Sequence, residues 1–265
     1  MKYPSRKLAF VLAASNHGPL IVSRLDYCVT DQGKGFGVGL QILEYAAFDP
    51  QEVDLALSLL QLRRTYFGDG VVAIDCGANI GVHAIEWAKT MSGWGAVIAI
   101  EAQERIFYAL AGNIALNNCF NAQAVHAAVA AQNGVMAMPR PDYLQPGSLG
   151  SLELRWRANT EFIGQAINYA PEASVSVRTV ALDSLGFGRV DLLKLDVEGM
   201  ELEALDGAED LLRKNHPLLL VEAIKVEKAE LVRRLESLEY VVRDFGINVI
   251  AVHKADKTLE HFTKG

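Results

Sequence analysis

The run Ile74-Asp75-Cys76-Gly77-Ala78-Asn79-Ile80-Gly81 sets an acid, two glycines and an amide side chain between an apolar stretch and an amphipathic one. Gly77 lets the backbone bend sharply and approach a ligand closely, and Gly81 lets a helix start pack tightly. Asn79 and the N–H groups of a helix start suit a carboxylate such as that of a methionine moiety. Asp75 could orient the loop or hold a ligand's ammonium through water. The spacing Gly77-x-x-x-Gly81 lacks the middle glycine that admits a pyrophosphate in dinucleotide binders. Glu101 stands twenty residues beyond Gly81 and closes the apolar stretch 96–101. A carboxylate there accepts hydrogen bonds from both hydroxyls of a ribose. Nicotinamide enzymes use the same position, so Glu101 points to a ribose and leaves the ligand open.

A second group lies in Asp191-Leu192-Leu193-Lys194-Leu195-Asp196-Val197-Glu198-Gly199. Asp196 ends an apolar strand, Glu198 follows two residues on, and Glu222 ends the next strand, so three carboxylates are expected to converge. Asp196 or Glu198 could serve as the base that takes a proton from an alcohol nucleophile. The same three, Asp196, Glu198 and Glu222, could instead hold a hard divalent cation such as Mg²⁺. Glu198 could also simply cap the helix that follows. His83 and His126 are weaker candidates, read as a helix-surface and a strand-end residue. Trp156, between Arg155 and Arg157, could cover a substrate or lie on a plain surface loop.

These residues need a frame. From Val71 onward, apolar stretches of strand length alternate with helical patterns: 71–76, 96–101, 122–127, 190–195 and 218–222 are read as strands. The helices are placed at about 80–89, after Glu101 with Phe107, Leu110, Ala111 and Ile114 on one face, at 200–213, and around Leu231, Leu235 and Leu238. The stretches 240–245 and 248–253 form a closing hairpin. Continuous apolar strands between amphipathic helices imply an α/β fold, a mostly parallel Rossmann-like sheet with helices on both faces. Asp49-Pro50-Gln51-Glu52 is read as a capping box opening an earlier helix, whose apolar face is Val53, Ala56, Leu57 and Leu60.

The expected organisation is a β-rich extension over 1–48, a main domain over 49–254 interrupted at about 139–174, and a charged tail over 255–265 that frays. Within the extension, 8–14 and 20–29 read as a hairpin. The glycines of 33–39 read as a turn or strand edge, because no GK[ST] follows and no helix is capped there.

Hydrophobic residues make up 51% and charged ones 22%, enough apolar surface for a real core. The net charge of −7 argues against a nucleic-acid partner, which needs a basic surface. Three scattered cysteines fit neither a disulfide framework nor a CxxC metal site, and suggest reduced thiols in a cytoplasmic setting. No apolar run approaches a membrane span. Lys2, Arg6 and Lys7 before Leu8–Ala14 faintly resemble a signal peptide, but a first strand is the better reading.

On the motifs Asp75-x-Gly77-Ala78-Asn79-Ile80-Gly81, Glu101, Asn113, Asn117, Thr179-x-x-Leu182-Asp183-x-Leu185 and Lys194-x-Asp196-Val197-Glu198-Gly199, the chain resembles the FkbM family of methyltransferases. The resemblance runs from Asp49 to Glu222, and departs from the family in having Ala102-Gln103 where a proline often follows the acid. It implies a class I methyltransferase fold with S-adenosylmethionine as donor, and O-methylation of sugar or natural-product hydroxyls, so a small-molecule or glycan acceptor. It also implies that Asp75, Gly77, Asn79, Gly81 and Glu101 line the donor site, with Asp196 and Glu198 near the acceptor. Two other readings compete: a nicotinamide-dependent oxidoreductase, and a catalytically silent S-adenosylmethionine-binding protein.

Overall fold

The computed structural model describes residues 7–30 and 32–263. Lys2 and Arg6 of the leader-like stretch lie outside them. The chain divides into two compact units, one formed by the residues up to Phe48 with Ala137–Val175, the other by Asp49–Met136 with Ser176 onward.

The first unit opens with an antiparallel hairpin, β1 (Phe10–Ser15) and β2 (Gly18–Ser23). Two short strands follow, β3 (Cys28–Val29) and β4 (Gly35–Phe36), and then a helix, α1 (Val38–Tyr45). The strand at Gly35–Phe36 agrees with a strand edge within 33–39, while the helix corrects the expectation that none starts there. What starts it is not a local side-chain cap but a distant acid. The buried Asp26 accepts the Gly39 N–H through one carboxylate oxygen (3.0 Å) and the Leu149 N–H through the other (2.7 Å). A Cβ at Gly39 would lie 2.2 Å from the Ser23 carbonyl oxygen, so only glycine fits.

The second unit begins with α2 (Pro50–Phe67) and carries the main sheet. Its elements run β5 (Val71–Cys76), α3 (Val82–Thr90), β6 (Gly95–Glu101), α4 (Glu104–Leu116), β7 (Ala122–His126) and β8 (Ala128–Val129). There follow β9 (Gly134–Pro139), β10 (Ser174–Val180), β11 (Leu192–Leu195), α5 (Glu201–Asp206), α6 (Glu209–Asn215), β12 (Leu218–Glu222), α7 (Lys228–Ser237), β13 (Tyr240–Phe245), β14 (Asn248–His253) and α8 (Leu259–Thr263). Seven strands form the sheet in the order β13-β14-β12-β11-β5-β6-β7, and β8, β10 and β9 make a small sheet beside it. The five strands β12-β11-β5-β6-β7 are parallel, and the β13–β14 hairpin is added antiparallel at one edge. Every residue of β11 and β12 is buried, as a sheet covered on both faces requires. This is the class I methyltransferase arrangement. The chain winds outward from β5 through β6 to β7 and then returns to β11, so the strand order reverses between β5 and β11. Ligands of such sheets bind beyond the carboxyl ends of the strands at that reversal.

Three local expectations are corrected. The helix expected over 200–213 is two helices with Gly207 between them, where a Cβ would fall 2.1 Å from the Ala130 carbonyl oxygen. The buried face of α4 is Ile106, Ala109, Leu110, Asn113 and Ile114, with Phe107 and Ala111 only half-buried. Asp49 makes no side-chain cap to α2, and Glu52 turns into the interior instead.

The start of the tail packs where fraying was expected. Arg63 of α2, buried, bonds Asp191 at the start of β11 and Asp256 in the tail, and Thr258 is fully buried beside Asp256. Arg189 adds a second guanidinium to Asp191. No helix among the described residues is long and apolar enough to cross a membrane. All three cysteines are buried free thiols.

Replacing Arg63 by leucine leaves two buried carboxylates short of a partner. The expected cost is about 3–5 kcal/mol, read from urea unfolding. A loss below about 1 kcal/mol would show that Arg189 and solvent suffice.

Candidate functional site

The reversal point is built on close backbone contact. Gly77 follows β5 with φ +77°, and a Cβ there would sit 1.7 Å from the carbonyl oxygen of Asp196, which follows β11. Position 77 therefore has to be glycine for the two strand ends to meet. The N–H groups of Gly77 and Ala78 both donate to the Ile100 carbonyl (2.9 Å each), which ties the bend to β6 as well.

Glu101 closes β6 and is buried. Its Oε2 accepts the Asn79 N–H (3.0 Å) and its Oε1 the Gln103 N–H (2.7 Å). The glycine bend and the carboxylate thus share one edge of the sheet. Burial pushes Glu101 up from 4.5 to about 7, against the pull of those backbone donors. Asn79 has φ +50°, and its side-chain oxygen accepts the Ile80 N–H (2.8 Å). Both its backbone N–H and its side chain therefore shape the turn. Gly81, at φ +92°, leads into α3 where a Cβ would press on Leu110 of α4 (2.6 Å). Asn113, fully buried on α4, donates to the Ile80 carbonyl (2.9 Å), and Asn117 bonds back to Asn113.

Asp75 lies in register with Lys194 on the adjacent strand, and both are buried. Neither Asp75 oxygen has a hydrogen-bond donor among the described residues. Burial raises the Asp75 carboxyl, partly offset by Lys194. The Lys194 ammonium is 2.8 Å from Asp196 and 3.9 Å from Glu52. Burial works against that ammonium, but Asp196, Glu52 and Asp75 outweigh it and raise its pKa. Glu52 also accepts from Asn248 (2.7 Å) and lies 3.2 Å from His83 Nε2. Against the upward push of burial, these contacts hold Glu52 near 2.

Asp196, Glu198 and Glu222 converge, each offering an oxygen within 4.8 Å of the others. Glu198 does not cap the next helix. It sits at φ +52°, followed by Gly199 at +91°, and Glu201 fixes that turn by accepting the N–H groups of Val197 and Gly199 (3.1 Å each). Burial first, then Glu222 and Asp196, push Glu198 well above the usual carboxylate range. Burial, then Asp196 and Glu201, raise Glu222 to about 9.

A family model for the Methyltransferase FkbM domain matches residues 75–246. The chain belongs to the FkbM methyltransferase family. This is a family of S-adenosylmethionine-dependent enzymes. Among solved structures, an FkbM methyltransferase from Methylobacillus flagellatus KT is 16% identical, with a TM-score of 0.48 over 71% of this chain and 46% of that one. The chain therefore spans less than half the length of that structure. WbdD, solved with a kinase inhibitor, is 12% identical with a TM-score of 0.50 over 82% of this chain and 44% of its own. A precorrin-6y C5,15-methyltransferase from Geobacter metallireducens GS-15 is 17% identical, with a TM-score of 0.45 over 79% of this chain and 89% of that one. A search of curated proteins gives no match.

In this FkbM chain, five groups that sequence reasoning had not cast as site residues turn out to surround the carboxylates. Lys194 had a visible signal, a lysine inside an apolar strand two residues before Asp196 and so on the same side of the pleat. Glu201 had a weak one, three residues after Glu198. Glu52 and Asn248 had none, because they arrive from distant segments, and Lys225 stands three residues after Glu222. His83, expected on a helix surface, is buried. His126 ends β7 as expected, bonded to the Ala102 carbonyl (3.0 Å) and stacked on Phe107. Trp156 is exposed, 67% of its surface open, and belongs to the first unit.

Glu101 carries a pH signature. At about 7 in the folded chain against 4.5 ordinarily, it takes up a proton on folding between those values. Its contribution to stability therefore falls as pH rises from about 4.5 through about 7. Thermal midpoints of wild type and Glu101→Gln, measured from about pH 5 to pH 8, are expected to converge or cross in the variant's favour as pH rises. A constant difference would show that Glu101 does not titrate there.

Proposed function

We propose that this chain transfers a methyl group to a hydroxyl oxygen of a small-molecule or glycan acceptor. The observation that carries the reading is the meeting of two features at the strand reversal. One is a ribose-type carboxylate, Glu101, bonded to the glycine bend. The other is an acid, Asp196, whose backbone touches that bend and whose side chain is about a third exposed (35%).

S-adenosylmethionine, the family's donor, would supply the methyl group. The chain's residues fit it. Glu101 keeps lone pairs beyond those its backbone donors use, enough for two ribose hydroxyls. The missing Cβ of Gly77 lets the Asp196 carbonyl approach, and Asn79 and Gly81 shape the turn that follows. Asp75 supplies an unsatisfied carboxylate beneath the bend, balanced by Lys194, and favours a cationic ligand above it.

Asp196 is the group placed to take the acceptor's proton. Lys194 grips one of its oxygens, and the Asp196 side chain is partly exposed. Glu198 stands beside Asp196 in the same cluster of carboxylates. Oxygen is the expected nucleophile because an alcohol needs a base, which the carboxylate cluster supplies.

Labelled donor offered with a panel of sugar-containing alcohols is expected to give an alkali-stable methyl ether. Asp196→Asn is expected to slow transfer about 10²–10⁴-fold while leaving donor affinity within about threefold. An alkali-labile methyl ester, or unchanged turnover in the variant, would overturn the assignment.

A further inference from the structure

We propose that Asp196, Glu198 and Glu222 form a binding site for one hard divalent cation, of the Mg²⁺, Mn²⁺ or Ca²⁺ class. The three come from the end of β11, the turn after it and the end of β12, and each brings an oxygen within 4.8 Å of the other two. Oxygens on opposite sides of a cation at Ca²⁺ distances are about 4.6–5.2 Å apart, and at Mg²⁺ distances about 4.0–4.2 Å. The cluster therefore spans such an ion with little or no movement.

Proximity of acids is not the whole case. Glu222 is 93% buried (7% exposed), and its Oε2 has no hydrogen-bond donor among the described residues. Glu198 Oε2 is likewise buried without a hydrogen bond, and the nearest ammonium, that of Lys225, stands 3.8 Å away. Buried carboxylate oxygens with no donor are rare because their desolvation goes uncompensated. A cation between them supplies the missing partner. The backbone is also committed to the arrangement. Glu198 adopts the left-handed region that non-glycine residues avoid, and Glu201 locks the turn through two backbone N–H groups.

The donor set selects the metal class. All three ligands are carboxylate oxygens, with no cysteine or histidine among them, which favours hard cations over Zn²⁺ or Cu²⁺. The partial exposure of Asp196 leaves coordination positions open toward the crevice for water or a ligand oxygen. On the methyl-transfer reading, a ligand oxygen there would be the acceptor hydroxyl, and the cation would lower its pKa. Binding itself does not depend on that reading.

The test uses the full chain stripped with a chelator and titrated with Mn²⁺ alone, free Mn²⁺ being read by electron paramagnetic resonance. One saturable site per chain with a Kd below about 1 mM is expected near neutral pH. Glu222→Gln and Glu198→Gln are each expected to weaken it at least about 10-fold. Glu222→Gln keeps the size of the side chain and takes away one ligand oxygen, so without metal it should unfold as cooperatively as wild type. Added Mn²⁺ should raise the midpoint of wild type but not of that variant. Absence of saturable binding in wild type, or binding unchanged in both variants, would overturn the site. Neither donor nor acceptor is present, so failure here leaves methyl transfer standing, and failure of methyl transfer leaves the cation site standing.

Discussion

A missing carbon atom governs the architecture of the crevice. Because position 77 has no Cβ, the end of β5 can lie against the Asp196 carbonyl at a distance that any other residue would fill. That contact fixes the separation of the two strand ends on either side of the reversal, and the rest of the site inherits its geometry. The bend brings the Asn79 N–H to Glu101, and the strand that carries Asp196 also carries Lys194 beneath it. A Cβ at position 77 would part the ribose-type carboxylate from the proposed base.

Charge is the second constraint. Glu52, Asp75, Asp196, Glu198, Glu201 and Glu222 crowd one end of the sheet, and Lys194 is the buried cation that three of them share. A lysine in the middle of an apolar strand is costly unless acids surround it. Here the cost is met on one side by Glu52, itself held ionised near 2, and on the other by Asp196. Glu198 has the Lys225 ammonium 3.8 Å away, while Glu222 Oε2 has no hydrogen-bond donor among the described residues. That unevenness suits a site that is completed by something the chain binds, where a fully paired network would serve structure alone.

The sheet, its order of strands and helices, and the closing hairpin were legible in the sequence because continuous apolar stretches and 3.6-residue periodicity are local signals. The convergence of Asp196, Glu198 and Glu222 was legible for a similar reason, since each sits at or just beyond a strand end and neighbouring parallel strands end together. What escaped depended on contacts between distant segments. The start of α1 is set by Asp26 from an earlier loop, and Gly207, between α5 and α6, packs against the Ala130 carbonyl. Glu52 read as a local cap because its true partners, His83, Lys194 and Asn248, come from elsewhere in the chain. Asn79 read as a ligand contact, and its backbone N–H and side-chain oxygen also shape the turn.

The central claim is that Glu101 and the bend at Gly77 grip a nucleoside that carries no diphosphate. Calorimetric titration with S-adenosylhomocysteine and with NAD, on wild type and Glu101→Ala, tests it most directly. Wild type is expected to bind the first ligand one to one and the second at least about 100-fold more weakly, with Glu101→Ala losing about 10- to 100-fold for the first. Preferential binding of NAD, or affinity for S-adenosylhomocysteine that is indifferent to Glu101, would contradict it.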